Sequence, residues 1–431
     1  MAEATYYRMS FQNTLAYAQE RDHDDALRYY REHFHIPKHQ GKDTVYLCGN
    51  SLGLQPKAAR AAIEEEMEKW AELGVEGHFK GDDPWFTFHK TLAEPTAKLV
   101  GAKPSEVVVM NQLTVNLHLM LVSFYRPQGR RYKILTEAGA FPSDQYALET
   151  QVKFHGYTPE DAIIEVTPRA GEQTWRTEDI LQTIRDNGDE IALVLMSGVH
   201  YYTGQVFDMA AITQAAHEVG AVCGFDLAHA AGNVVLRLHD WDVDFAVWCT
   251  YKYLNSGPGG TSGVFVHERH SNKPDLPRFA GWWGYDQEER FQMKKGFIPM
   301  AGADGWQLSN SQILPMAVHR ASLQMFDEAG MEALRAKSEG LTGYLEFLIN
   351  SLNQPKEDLE IITPSEPSAR GCQLSLLVNR NGRQLFETLM ANGFILDWRE
   401  PNVIRVAPTP LYNTFEDVYR FGQFLEAHFR R

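Results

Sequence analysis

Asp226 and Lys252 stand twenty-six residues apart, each close behind a short apolar run: Ala221 to Phe225 before the first, Phe245 to Cys249 before the second. In an open α/β sheet, ligands gather at the carboxyl ends of strands, so the two side chains can face one pocket. A lysine that forms a Schiff base and a carboxylate that keeps a pyridine nitrogen protonated are what pyridoxal-phosphate (PLP) chemistry requires. Singly, such a lysine is usually a solvated surface residue, and such an aspartate a turn or helix cap. It is the pair that points to the cofactor. Gly257-Pro258-Gly259-Gly260, just past Lys252, adds a loop where backbone can approach a ligand closely.

A phosphate needs fixed donors. Phe141-Pro142-Ser143-Asp144 lies where a helix begins after the strand ending near Glu137, and Leu113-Thr114 lies at another strand-to-helix junction. Helix N-termini with a neighbouring hydroxyl bind anions, although Ser143 and Thr114 suit ordinary capping equally well. Arg405 interrupts the apolar run Val403-Ile404-Arg405-Val406-Ala407. A charge in a buried strand is costly unless paired, and a bidentate carboxylate ligand would pair it.

The elements that must position these residues follow from the apolar pattern. Between about Thr44 and His267, near-continuous runs at Val107–Val109, Tyr132–Leu135, Ile191–Met196, Ala221–Phe225, Phe245–Cys249 and Val264–Val266 read as strands buried on both faces. Helical stretches Pro142–His155, Thr177–Arg185 and Asp208–Val219 alternate with them, Pro142 in a first turn and Thr177 and Asp208 as caps. This is an α/β domain with a mainly parallel sheet. After Pro315 come long helices, His319–Glu328 and Met331–Leu352. A strand Gln373–Val378, a helix Arg383–Ala391, two short strands and a closing helix Glu416–His428 complete a smaller α+β domain. The segment up to Asp43, with a helix at Asp24–His33, is expected to pack against it, giving 44–310 as the large domain and 1–43 with 311–431 as the small one.

The 431 residues suffice for two such domains, and 44% hydrophobic with 23% charged residues is ordinary for a globular chain. With 41 basic against 56 acidic residues, the net charge of −15 repels nucleic acid and anionic membranes overall. Cys48, Cys223, Cys249 and Cys372 form no Cys-x-x-Cys pair, which argues against a zinc site and a disulfide framework. The start, Met1 to Tyr7, lacks a basic region followed by an apolar stretch, and no apolar run is long enough to span a bilayer, so a cytoplasmic protein is expected.

Seven strings then carry a resemblance: Leu47-Cys48-Gly49-Asn50-Ser51-Leu52-Gly53-Leu54-Gln55-Pro56, Leu113 to His118, Phe141 to Asp144, Ser197-Gly198-Val199-His200, Phe225 to Ala230, Tyr251-Lys252-Tyr253-Leu254-Asn255 and Ile404 to Pro408. In this order, from the first fifty residues almost to the end, they resemble the kynureninases. The resemblance implies the fold-type-I, aminotransferase-like PLP architecture and a homodimer with its active site near the subunit interface. It implies Lys252 as covalent anchor, Asp226 on the pyridine nitrogen and His229 beside the ring. Leu113, Thr114, Phe141, Pro142, Ser143, Asp144, Ser197, Tyr251, Trp282 and Asn310 match further cofactor contacts. Arg405 matches the arginine that holds the substrate carboxylate, while His78, Asn310 and Ser51 match the pocket for its aromatic ring.

The implied activity is hydrolytic Cβ–Cγ cleavage of kynurenine or 3-hydroxykynurenine to an anthranilate and alanine, in tryptophan catabolism or NAD biosynthesis. Lys252 acts as α-proton base, with Tyr251 as proton donor or relay. A polar His78–Asn310 pair suits the extra hydroxyl of 3-hydroxykynurenine. Another PLP reaction on the same fold, such as cysteine desulfuration, needs a mobile cysteine, and all four cysteines lie in or beside expected strands. A non-catalytic binding protein on this scaffold is expected to have lost Lys252 or Asp226.

Overall fold

The computed structural model describes residues 11–271, 273, 275–352 and 358–430. The stretch Met1 to Tyr7 lies outside them, as does the start of the segment assigned above to the small domain.

Seven strands form the large sheet: β1 (Val107–Val109), β2 (Lys133–Glu137), β3 (Ile163–Val166), β4 (Ile191–Ser197), β5 (Val222–Asp226), β6 (Phe245–Trp248) and β7 (Gly263–Val266). Their spatial order is β1-β7-β6-β5-β4-β2-β3. The pairs from β6 across to β3 are parallel, and only β7 runs against its neighbours, β6 and β1. The expectation of a mainly parallel sheet holds. Sequence reading passed over β3, Ile-Ile-Glu-Val, an edge strand buried only in part, so its apolar run is broken by Glu165.

Alternation of side chains sorts this sheet into two cores. Val107, Val109, Val194, Met196, Ala246 and Trp248 pack on one face. Val108, Leu193, Leu195, Phe245 and Val247 pack on the other. Helices Leu113–Phe124, Pro142–Phe154, Thr177–Asp186 and Met209–Glu218 connect the strands. Asp208 caps its helix by accepting from the Ala211 amide at 3.0 Å, as expected. Thr177 does not: it is the first helical residue, and the cap position falls to Arg176 without a side-chain bond.

A third core belongs to the smaller antiparallel sheet β8 (Glu360–Ile361), β9 (Leu374–Leu377), β10 (Asp397–Arg399) and β11 (Val403–Val406), ordered β8-β9-β11-β10. Helices Met331–Asn350, Gly382–Ala391 and Phe415–Phe429 contribute to it. Val45 and Leu47 also enter this core, and Val45–Tyr46 pairs in parallel with Phe394–Ile395.

The expected helix at Asp24–His33 is displaced. An α-helix occupies Leu15–Asp24, started by Thr14 accepting from the Tyr17 amide at 3.2 Å, and Arg28–His33 is a 3-10 turn. Asp25 separates the two, its carboxylate accepting from the Leu27 amide at 2.9 Å, a local bond that competes with helical continuation. The carboxylate of Asp22 caps the closing helix instead, accepting from the amides of Phe415 and Glu416 at 2.6 and 2.9 Å. No helix among the described residues is long and apolar enough to cross a membrane.

Candidate active site

Strands β2, β4, β5 and β6 deliver the site from their carboxyl ends. The last residue of β5 is Asp226, where the chain turns and its carboxylate accepts from the Ala228 amide at 2.6 Å. Lys252 lies in the turn that follows β6. That turn is braced by Gly53, whose amide donates to the Tyr251 carbonyl at 2.8 Å. A Cβ at Gly53 would sit 2.3 Å from the Lys252 carbonyl oxygen, so only glycine lets the two loops meet this closely.

A cavity of about 160 Å³ opens between these loops, lined by Leu113, Thr114, Phe141, Ser143, Asp144, Ser197, Asp226, His229, Tyr251 and Lys252, together with Val199, Tyr201 and Ala228. Ten expected cofactor contacts thus surround one space, with Pro142 between two of them in the chain. The ammonium of Lys252 donates to Nε2 of His229 at 2.9 Å and lies 5.8 Å above the Phe141 ring. The helices starting at Leu113 and Pro142 bring two hydroxyls together, Thr114 Oγ1 and Ser143 Oγ at 2.8 Å.

Electrostatics concentrate at the sheet side of the cavity. Asp226 and Asp144 are buried against each other, and burial raises both carboxyls above their usual range. Asp144 is raised well above it, by burial first and then by the charge of Asp226, so the shared proton resides on Asp144. Burial, followed by the nearby Lys252, pushes His229 well below the usual histidine value and keeps its ring neutral. Burial raises the Tyr251 phenol, which stays protonated. Two buried polar atoms here lack any partner, Asp144 Oδ1 and His229 Nδ1. Unsatisfied buried atoms beside a lysine and an aspartate, facing two hydroxyls at helix N-termini, fit a phosphorylated pyridine aldehyde.

Arg405 is placed behind this cavity. It is 1% exposed and already has partners: its guanidinium pairs with Asp397 and donates to the Tyr201 carbonyl at 2.9 Å. Contrary to the expectation from sequence, no ligand is needed to pair this charge, because β10 supplies Asp397 directly opposite it. Its Nε still has no partner. Ser51 sits two residues from Gly53 but does not line the cavity. Neither do His78, whose ring rests edge-on against Trp85 at 5.3 Å, nor Trp282 and Asn310, which are exposed. The Gly257–Gly260 loop does not reach the cavity either. It borders a separate cleft of about 830 Å³ with Ile36, Pro56 and Leu314, and a Cβ added at Gly257 or Gly259 would meet nothing within 4 Å.

Sequence reading missed Tyr201 and Glu137. The first carried no signal. The second did: an acidic residue closing a buried strand, the same signal that singled out Asp226. At the opposite end of the sheet, Glu106, His239 and His267 place potential ligand atoms within 4.8 Å of one another. Those atoms are engaged otherwise: Glu106 holds His239 Nδ1 at 3.0 Å, and His267 Nδ1 takes the Arg269 amide at 3.2 Å.

Residues 45–368 match the aminotransferase class-V family, and residues 334–425 match the kynureninase C-terminal domain. Among curated proteins, a kynureninase of Flavobacterium johnsoniae is 58% identical over 97% of this chain and 99% of its own length. One of Myxococcus xanthus is 58% identical over 97% and 98%. Among solved structures, an apo cysteine desulfurase from Thermococcus onnurineus NA1 superposes with a TM-score of 0.73 at 16% identity, covering 90% of this chain and 95% of that one. A C-DES variant with glycine covalently linked to its PLP cofactor gives 0.74 at 18%, covering 89% and 96%. These two likenesses show the fold.

Proposed function

The chain belongs to the kynureninase family, and on that premise we propose how its side chains carry the family's reaction. The activity is PLP-dependent hydrolysis of the Cβ–Cγ bond of L-kynurenine, releasing anthranilate and L-alanine. The observation that carries this reading is identity of 58% along nearly the whole of both chains. A desulfurase reading has little to stand on: all four cysteines are buried, with the Cys48 and Cys372 thiols pushed up to about 12 by burial, the opposite of an activated nucleophile.

Bound in this cavity, PLP supplies an electron sink for the charge that develops at the substrate's α-carbon. Lys252 would hold the cofactor covalently, and its Nζ is the group that would take the α-proton. The neutral His229 ring accepts from Lys252 and so aims that nitrogen. Asp226 would keep a negative charge for the pyridine nitrogen, because Asp144 is the more strongly raised carboxyl of the pair. Thr114 and Ser143 offer hydroxyl donors to the phosphate. Tyr251, held in its phenol form by burial, has a proton to give to the leaving or remaining carbon fragment. Arg405, oriented by Asp397 and the Tyr201 carbonyl, binds the α-carboxylate.

Trp282, Asn310 and His78 lie outside the single-chain cavity, and their surface positions support a homodimer in which a second copy brings them to it. We take the chain as a cytoplasmic enzyme with domains 44–310 and 1–43 plus 311–431. On this reading His78 and Asn310 bond the ring hydroxyl of 3-hydroxykynurenine, which then yields 3-hydroxyanthranilate, and Ser51 lies at the edge of that pocket. The test is steady-state hydrolysis of both substrates. The expected result is turnover of both, a higher kcat/KM for 3-hydroxykynurenine, and a smaller preference in His78→Phe. No turnover of either sinks the activity. An unchanged ratio in His78→Phe sinks only the pocket.

A further inference from the structure

Glu137, the last residue of β2, is 1% exposed and lies beside the cofactor cavity without lining it. Its carboxylate takes both donors of one neighbour, Ser197 Oγ at 2.5 Å and the Ser197 amide at 3.2 and 3.3 Å, and a longer bond from the Thr136 hydroxyl at 3.4 Å. Ser197 closes β4 and does line the cavity. A serine hydroxyl has one proton and two lone pairs, and its proton goes to the strongest acceptor within reach. We infer that Glu137 is a positioning residue for the cofactor: its buried carboxyl fixes Ser197 in place and decides whether the Ser197 hydroxyl donates or accepts at the cavity wall. The inference rests on the PLP reading above and adds a residue and a proton to it.

The two forms of the carboxyl give two different cavity walls. Ionised, Glu137 holds the Ser197 proton, and the cavity meets only lone pairs. Protonated, Glu137 can donate to Ser197 Oγ, and the serine proton is released to an acceptor atom of the cofactor. Both forms are accessible near neutrality, because burial, opposed in part by the bonds from Ser197 and reinforced by the charge of Asp226, raises the Glu137 carboxyl to about 7. The titratable groups that bear on it are Asp226 on β5 and Asp144 on the helix after Phe141, with Lys252 as the nearest cation to that pair. Burial and the charge of Asp226 raise the Asp144 carboxyl well above its usual range, and variants at Glu137 and Ser197 leave the Asp226–Asp144 pair in place, so they isolate what Glu137 contributes.

The experiment follows the visible absorption of the holoenzyme from about pH 5.5 to about pH 8.5, bracketing the raised carboxyl, after borohydride reduction and peptide mapping have located the cofactor. Wild type is expected to show an inflection near 7 in the cofactor band. Glu137→Gln, a permanently neutral amide, is expected to keep the cofactor on Lys252 and to lose the inflection, its spectrum staying at the low-pH wild-type form. Ser197→Ala keeps the carboxyl but removes the hydroxyl that it turns, and is expected to flatten the profile as well. It decides the matter if Glu137→Gln does not fold. An inflection of unchanged midpoint in Glu137→Gln, or one that survives in Ser197→Ala, overturns the inference while labelling at Lys252 leaves the PLP reading standing. Label on another lysine overturns both.

Discussion

Arg405 shows how far a single residue can be argued from its neighbours. A lone charge in an apolar strand reads correctly as something that must be paired, but not as what pairs it: Asp397 lies eight residues earlier in sequence and reaches Arg405 only through the register of β10 on β11. Arg405→Leu is expected to raise the KM for kynurenine by one to two orders of magnitude, on the basis of about 1.5–3 kcal/mol for a charge-assisted contact, with PLP retained. Arg405→Lys restores part of the loss, since an ammonium lacks the planar fork. Equal KM values in all three proteins place Arg405 outside the substrate's reach. Glu137 makes a prediction about stability. Its carboxyl is raised from an ordinary 4.5 to about 7 in the fold, so the folded state binds its proton more tightly than the unfolded state does. That contribution, about 3 kcal/mol at most, is complete below about pH 4.5 and is lost as pH rises through about 7. Denaturation of the apoprotein at a series of pH values from about 5 to about 8 should therefore show a slope that Glu137→Gln makes less negative, and an identical slope in that variant contradicts the assignment of a raised carboxyl.

The elements were more legible than the contacts between them. Strands such as Ile191–Ser197 and Phe245–Trp248 announce themselves because both faces of the sheet are covered, so nearly every position is apolar. The edge strand Ile163–Val166 and the first helix were not readable in the same way. One is only half covered, and the other is started by Thr14 and ended at Asp25, whose carboxylate bonds the Leu27 amide. The Asp226–Lys252 pairing was readable because both follow buried strands, whereas the Gly257–Gly260 loop misled because glycine content says that backbone is free to approach something, not what it approaches. Gly53 is the glycine that does approach the site. Gly53→Val puts a branched side chain where the Lys252 carbonyl already stands, and the turn carrying Lys252 must move. Turnover is expected to fall by at least about tenfold, as misplacements of around 1 Å at a reacting group do. Gly257→Ala meets no neighbouring atom, and the strain of an alanine at φ +82°, about 1–2 kcal/mol, falls on a loop that does not line the cavity, so turnover stays within a factor of about two to three. Equal activity in the two variants means that the Gly53 contact does not position Lys252.

At the scale of the whole molecule, four of the expected site residues that the single chain leaves outside the cavity divide into two kinds. Ser51 is adjacent to it through Gly53, while Trp282, Asn310 and His78 lie on other surfaces of the chain. Trp282 is 37% exposed in a cluster with Phe291, itself 55% exposed, an apolar surface of the kind that a second copy can cover. In the twofold dimer proposed above, each site would take Lys252 from one copy and Trp282 from the other. Complementation follows directly. Lys252→Ala and Trp282→Ala, each inactive or nearly so alone, are mixed in equal amounts under conditions where subunits exchange. Half of the dimers are then hybrids, and each hybrid contains one site with both intact residues, so about a quarter of wild-type activity should return. If Trp282 serves the site of its own chain, every site in every hybrid carries one lesion and no activity returns, however complete the exchange. Native mass spectrometry of the mixture establishes that hybrids have formed, and an inactive mixture containing them removes Trp282 from the shared site.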